Sequence, residues 1–104
     1  MSVKHITADE FKVLTSTPGK NVLVKFYADW CGPCKQFAPV FAKFAETHPE
    51  IIACEMNIED IENTALVSRL EVMTIPTLMH FRDGKLIFRT SGFLSRKDLD
   101  ALNL

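Results

Sequence analysis

Apolar positions recur along this chain with two different periods, and the switches between them divide it into elements. Val3 to Ile6 reads as a short strand. Thr7-Ala8-Asp9-Glu10 follows as a capping box. In that motif the hydroxyl and the carboxylate each satisfy a free backbone N–H at a helix start, and Ile6 and Phe11 are spaced for the accompanying hydrophobic staple. A helix from Ala8 to about Thr15 is predicted, and Pro18-Gly19 ends the connection after it. Val22 to Tyr27 (VLVKFY) is almost unbroken in β-branched, aromatic and aliphatic residues, the pattern of a central strand covered on both faces. Phe37, Val40, Phe41, Phe44 and Ala45 then recur at i, i+3, i+4, i+7 and i+8, one stripe of an amphipathic helix. Pro39 lies inside that pattern, where its missing N–H predicts a kink, and Pro49 closes it.

Ile51 to Met56 is a second buried strand, and Ile61, Ala65, Leu66 and Leu70 mark a weaker helix. Thr77 to Phe81 and Leu86 to Phe88 flank Asp83-Gly84, a hairpin signal. Ser95 to Asp98 opens a last helix, stapled by Leu94 and Leu99 and running to the C-terminus. The order is β-α-β-α-β-α-β-β-α. Strands joined through helices pair in parallel, and the final hairpin is antiparallel. The expected class is therefore α/β: one domain over 1–104, with a mixed central sheet of about five strands and helices on both faces.

Composition narrows the functions. A chain of 104 residues that is 47% hydrophobic and 24% charged buries a core of its own. A net charge of -1 gives no field favouring nucleic acid or an anionic membrane, so neither is expected as a partner. No segment approaches the roughly 18 consecutive apolar residues of a membrane span, and MSVKHITADEF has no apolar signal core. A cytoplasmic location is the expectation. The cysteines are three, Cys31, Cys34 and Cys54, an odd count that argues against a secreted disulfide framework. In a reducing compartment a close pair is catalytic or metal-binding.

The close pair follows a strand and opens a helix, which puts Cys31 at the helix start and Cys34 on the same face three residues later. The free N–H groups and dipole of a helix N-terminus stabilise a thiolate there. Pro33 suits the first turn, where no N–H is needed, and Gly32 removes bulk beside Cys31 so that another chain can approach. These are the requirements of thiol–disulfide exchange, in which one thiolate attacks a foreign disulfide and the second resolves the mixed disulfide. The bland alternative is half of a zinc site. Zinc needs four ligands, and the others on offer, Cys54, His5, His48 and His80, are scattered singly, so no metal is expected. Cys54 within IIACEM reads as a small buried hydrophobe, His80 as a core or edge residue of a strand, His48 as solvated at a helix end and His5 as lying on an edge strand.

The segment Ala28-Asp29-Trp30-Cys31-Gly32-Pro33-Cys34-Lys35 resembles the active-site signature of the thioredoxin family. Thr74-Ile75-Pro76-Thr77-Leu78, about forty residues on, resembles that family's cis-proline segment, and Asp83-Gly84 and Gly92 also fall where the family places them. The similarity covers essentially the whole chain and implies a thioredoxin fold. It further implies that Cys31 is the exposed attacking thiol and Cys34 the buried resolving one. Trp30 would shield the pair and join the substrate surface, and Pro76 would be cis against the cysteines. The backbone of Thr74 and Ile75 would pair with an extended substrate segment, and Gly92 would keep the nearby surface flat. Gly92 also fits an ordinary turn, and Pro76 an ordinary strand start. The implied function is that of a protein disulfide reductase acting on disulfide-containing proteins as a monomer, with no bound cofactor. NADPH would enter only through a separate flavin-dependent thioredoxin reductase. The alternative, from a different class, is a binding subunit that clamps a partner with the same surface and turns nothing over.

Lys25 breaks the apolar run of the central strand. Alternation puts Leu23, Lys25 and Tyr27 on one face and Val22, Val24 and Phe26 on the other, and both faces of a central strand are covered, so Lys25 is expected to be at least partly buried and to require a partner. Glu55 interrupts the neighbouring strand in the same way. Members of the thioredoxin family usually carry an aspartate at the position matching Lys25 and a lysine at that matching Glu55, so the resemblance implies the same pair with its signs exchanged. The exchange either only preserves a buried ion pair or moves the group that accepts the proton of Cys34 to Glu55, with Lys25 stabilising the thiolate.

Overall fold

The computed structural model describes residues 2–104. Five strands, β1 (Val3–His5), β2 (Asn21–Tyr27), β3 (Ile52–Asn57), β4 (Thr77–Arg82) and β5 (Lys85–Ser91), form one sheet in the order β1-β3-β2-β4-β5. β1, β3 and β2 are parallel, as their helical crossovers require; β4 lies antiparallel to β2 and β5 antiparallel to β4. The β4–β5 loop is Asp83-Gly84, with φ of 53° and 81°. Left-handed backbone at both residues gives a two-residue hairpin its matching twist, and the aspartate and glycine tolerate it.

Four helices cover the sheet: α1 (Ala8–Ser16), α2 (Gly32–Thr47), α3 (Thr64–Arg69) and α4 (Arg96–Ala101). The reciprocal capping box at Thr7 and Glu10 forms, as does its counterpart at Ser95 and Asp98. The alternation of β2 sorts the core into two layers. Val22, Val24 and Phe26 pack with Phe11 of α1 and Leu66 of α3; Leu23 packs on the opposite face with Phe37, Phe41 and Phe44 of α2 and Leu99 of α4. α2 runs without interruption through Pro39.

Three local expectations are corrected. Ile61 is 87% exposed and Ala65 is exposed as well, because the chain enters α3 through a 3₁₀ turn, Ile61–Asn63. Three residues per turn shift the buried stripe, so that Leu66 faces inward as expected and Asn63 joins it in place of Ile61 and Ala65. The buried Asn63 is satisfied on both sides: its Oδ1 accepts the Ala8 N–H at 2.8 Å and its Nδ2 donates to the Asn57 carbonyl at 2.9 Å. His48 is half-buried rather than solvated, stacked on Phe44 with ring centroids 4.0 Å apart. The last helix stops at Ala101, yet Leu102 and Leu104 still pack on the α2 layer. His80 is buried in β4 with its Nε2 against the Asn21 side chain, and burial pushes its pKa down, with Arg82 adding to the effect.

The segment leading into β4 is tied down from outside. Arg89 of β5 donates one nitrogen to the Leu70 carbonyl and another to the Glu71 carbonyl, both at 2.6 Å, capping the end of α3 just before Thr74-Ile75-Pro76. In the α1 layer, Phe11 meets Phe26 and Phe81 edge to face, at 6.2 Å and 5.3 Å between centroids. Phe11→Ala therefore opens a cavity between α1 and the sheet and is expected to cost about 3–5 kcal/mol in urea unfolding. A loss below about 1 kcal/mol would mean that α1 is not held by this packing.

Candidate active site

Cys31 is the N-cap residue of α2, with extended backbone and a side chain turned back over the first turn. Its sulfur accepts the Cys34 backbone N–H at 3.2 Å, and its carbonyl accepts the Lys35 N–H at 3.2 Å. Pro33 occupies the first turn, where a missing donor leaves nothing unpaired. Cys31 and Cys34 are joined as a disulfide, their Cα atoms 5.2 Å apart. A sulfur in the N-cap position has a backbone donor and the positive end of α2 aimed at it, which favours its thiolate once the bond is reduced.

The expected contrast between an exposed Cys31 and a buried Cys34 is not seen. Cys31 is 4% exposed and Cys34 3%, packed with Ala28 and against Tyr27, Ile58 and Ile75. Accessibility therefore does not rank the two sulfurs. Their surroundings do: the Cys31 sulfur lies 3.7 Å from the Ile75 carbonyl oxygen, whereas Cys34 lines a cleft that reaches toward the sheet.

The Ile75–Pro76 peptide bond is cis, and Pro76 is buried. The Pro76 carbonyl accepts the Gly92 N–H at 2.8 Å; the Thr77 hydroxyl donates to the Thr74 carbonyl and meets the Ser91 hydroxyl at 2.9 Å. Gly92 has φ of 98°, and a Cβ there would meet nothing within 4 Å, so within the chain the backbone angle, not crowding, calls for glycine. Gly32 likewise faces open space. Thr74 and Trp30 are exposed, as are the neighbouring apolar residues Met73 and Phe93.

Lys25 and Glu55 meet. Parallel register sets them side by side on β2 and β3, with Lys25 Nζ 3.3 Å from Glu55 Oε1. The Lys25 side chain is 4% exposed and that of Glu55 29%. The ammonium also lies 5.3 Å from the Tyr27 ring centroid and 5.4 Å from that of Phe41, two cation–π contacts that soften its desolvation. Both charges line the cleft of about 250 Å³ that Cys34 borders, together with Tyr27, Asp29 and Lys35. The site thus gathers Cys31, Cys34, Pro76, Lys25 and Glu55 around one sulfur pair and one cleft.

Sequence reasoning did not bring His5, Asp60 or Tyr27 to this site. His5 stands opposite Glu55 in the β1–β3 register, its Nδ1 3.7 Å from Glu55 Oε2 and its Nε2 3.7 Å from Asp60 Oδ2. The Tyr27 hydroxyl is 3.5 Å from the same Nδ1, and burial first, then Glu55, Asp29 and Asp60, push the phenol pKa up. Parity along Val3, Lys4 and His5 was the one available signal, and it becomes readable only once the register is known. Cys54 is buried outside the site, its thiol pushed up to about 11 mainly by that burial. Among the described residues no group of three or more His, Cys, Asp or Glu side chains is arranged to hold a metal ion, and no helix is long and apolar enough to cross a membrane.

Comparison with known proteins gives a consistent answer. The sequence profile of the family described as Thioredoxin matches residues 2–102. The chain is 36% identical to a thioredoxin of Mycoplasmoides gallisepticum over 101 residues, covering 96% of this chain and 98% of that one. It is 39% identical to a thioredoxin of Alicyclobacillus acidocaldarius over 83 residues, covering 79% and 77%. Among solved structures, an N21Q mutant thioredoxin from Halobacterium salinarum superposes with a TM-score of 0.84 at 33% identity, covering 96% of this chain and 86% of that one.

The charge pair generates an asymmetric expectation. Glu55→Gln leaves a buried ammonium unpaired and is expected to cost about 3 kcal/mol in urea unfolding. Lys25→Met leaves a carboxylate that still reaches water and is expected to cost about 1 kcal/mol or less. The double variant then loses less than the sum of the two. Equal single losses that add in the double variant would mean the charges do not act as a pair.

Proposed function

The chain belongs to the thioredoxin family and is a thiol–disulfide oxidoreductase, and from that premise we propose that it works in the reducing direction, as a protein disulfide reductase of a single domain over residues 1–104. The exchange chemistry rests chiefly on one observation, the sulfur of Cys31 at the N-cap of α2 with the Cys34 N–H pointing at it, and the reducing direction on the Gly32-Pro33 pair between the cysteines, which in this family favours the reducing end of the range.

In the reduced protein the Cys31 thiolate attacks one sulfur of a substrate disulfide. The Cys31–substrate bond forms, the substrate S–S bond breaks, and the departing substrate sulfur leaves as a thiolate that takes a proton from water. Cys34 then gives up its proton and attacks the Cys31 sulfur. The mixed disulfide breaks, the second substrate thiolate leaves, and two electrons have passed from the dithiol to the substrate. Glu55 accepts the Cys34 proton through water in the shared cleft, and Lys25 stabilises the thiolate left behind. An extended substrate segment lies across Trp30, Gly32, Pro33 and Gly92, pairing its backbone with Thr74 and Ile75 beside Pro76. A flavin-dependent thioredoxin reductase, drawing on NADPH, returns the dithiol. The protein acts as a cytoplasmic monomer carrying electrons between that reductase and disulfide-containing proteins.

Reduction of insulin by dithiothreitol, followed as precipitation of the freed B chain, tests the reading. The wild type is expected to accelerate it and Cys31→Ser to abolish the acceleration. Cys34→Ser should accumulate a mixed disulfide at Cys31, visible by mass spectrometry. Absent activity in the wild type, or activity that survives Cys31→Ser, would favour a partner-clamping subunit without turnover.

A further inference from the structure

Register places three ionisable side chains in one row across the sheet: His5 on β1, Glu55 on β3 and Lys25 on β2. The row joins two environments. At its inner end the Lys25 side chain is 4% exposed and faces the cleft that Cys34 lines; at its outer end the His5 side chain is 51% exposed on an edge strand. Glu55 stands between them with its two oxygens divided, Oε1 toward Lys25 and Oε2 toward His5. The imidazole is divided in the same way, Nδ1 toward Glu55 and Nε2 toward Asp60.

We propose that His5 is a positioning and proton-relay residue that carries the Cys34 proton from Glu55 to solvent. The proposal rests on the reading in which Glu55 accepts that proton. Once Glu55 is protonated, a small rotation of the half-exposed His5 ring closes the 3.7 Å between Oε2 and Nδ1 to hydrogen-bond length. The Oε2 hydroxyl then gives its proton to the neutral ring at Nδ1, and the imidazolium releases a proton from Nε2 to water beside Asp60. One proton enters the ring at Nδ1 and one leaves from Nε2; Glu55 is an anion again, and the half-exposed ring regains its starting tautomer by proton exchange with water before the next turnover. The groups that face His5 suit this role. Glu55 from β3 and Asp60 from the loop after it are carboxylates that stabilise the transient imidazolium. Tyr27 from β2 has its phenol pKa raised, so it stays neutral and contributes only a hydroxyl at 3.5 Å from Nδ1. Lys25 lies beyond Glu55 and holds its other oxygen, which keeps Oε2 turned outward. A carboxylate on β2 would have no such neighbour, since β1 pairs with β3 and not with β2. The exit route thus follows from carrying the carboxylate on β3.

The test isolates the resolving step. Reduced protein is converted to the mixed disulfide of Cys31 with 5-thio-2-nitrobenzoate, and release of the coloured thiol by Cys34 is followed in stopped flow from pH 5 to 9. In the wild type the rate should rise with pH over this range. His5→Gln should alter that profile and slow release at its alkaline end by a factor of up to about ten, a fraction of what a directly acting base supplies. Free imidazole added to His5→Ala should restore the rate, which a purely structural role for His5 would not allow. Glu55→Gln, run alongside, separates the two layers. If it slows release while His5→Gln leaves the pH profile of the wild type unchanged, Glu55 exchanges its proton directly with water and the relay is overturned. If Glu55→Gln also matches the wild type, the role of Glu55 as acceptor falls, and the relay with it.

Discussion

A single ammonium inside the central strand constrains this molecule more than any other group. The Lys25 side chain is nearly as buried as the aliphatic residues around it, and leaving its charge unpaired there would cost about 3 kcal/mol, a large share of a small domain's stability. Its position therefore requires a carboxylate on a neighbouring strand, at one register and on one face. Glu55 meets all three conditions, and the faces of Tyr27 and Phe41 take up the remaining solvation. A slip of one residue between β2 and β3 would move Glu55 to the opposite, wholly apolar layer of Phe26 and Met56. The pair thus fixes the strand pairing from within, and it does so directly behind the sulfur that must lose a proton.

The remainder of the site follows from how the sheet delivers chain ends to that spot. β2 ends at Tyr27 and turns into α2, which places Cys31 at the helix N-cap. β4 runs antiparallel to β2 and pairs Thr77 with Phe26, so the segment entering β4 arrives beside the segment leaving β2. Ile75 and Pro76 are consequently set against the cysteines, held by Gly92 on one side and by the Arg89 clamp on the end of α3 on the other. A nucleophile at a helix start, a backbone edge beside it and a charged cleft behind it are three products of one topology.

Much of this was legible in the chain itself. Apolar runs, each interrupted by one charge, identified β2 and β3, and the two capping boxes and the Asp-Gly hairpin are local signals that depend on no distant contact. Lys25 and Glu55 stood out as the lone charges of otherwise apolar strands, and the family resemblance implied their pairing. Other features depend on three-dimensional context. Ile61 points outward because a 3₁₀ turn changes the period at the entrance to α3, and no residue there announces that turn. His48 is sheltered by stacking on Phe44, one turn back along α2. Cys31 is as covered as Cys34, in one cluster with Ala28 that Tyr27, Ile58 and Ile75 pack against, an arrangement of distant segments that the motif alone does not show. His5 looked like one polar residue on an edge strand; its place beside Glu55 depends on the β1–β3 register, which three short residues of β1 do not specify alone.

The central claim is that the buried Lys25 and the half-buried Glu55 act as one unit under the disulfide, and exchanging them tests it most directly. Lys25→Glu alone and Glu55→Lys alone each set like charges together in the sheet and should leave little folded protein. Lys25→Glu combined with Glu55→Lys restores opposite charges in the same register. By urea unfolding, the combined variant should recover most of the stability that either single reversal loses, and it should still resolve a Cys31 mixed disulfide, since a carboxylate again lines the cleft. A combined variant no more stable than the worse single reversal would contradict the account, showing that Lys25 and Glu55 are accommodated separately and that their proximity is incidental.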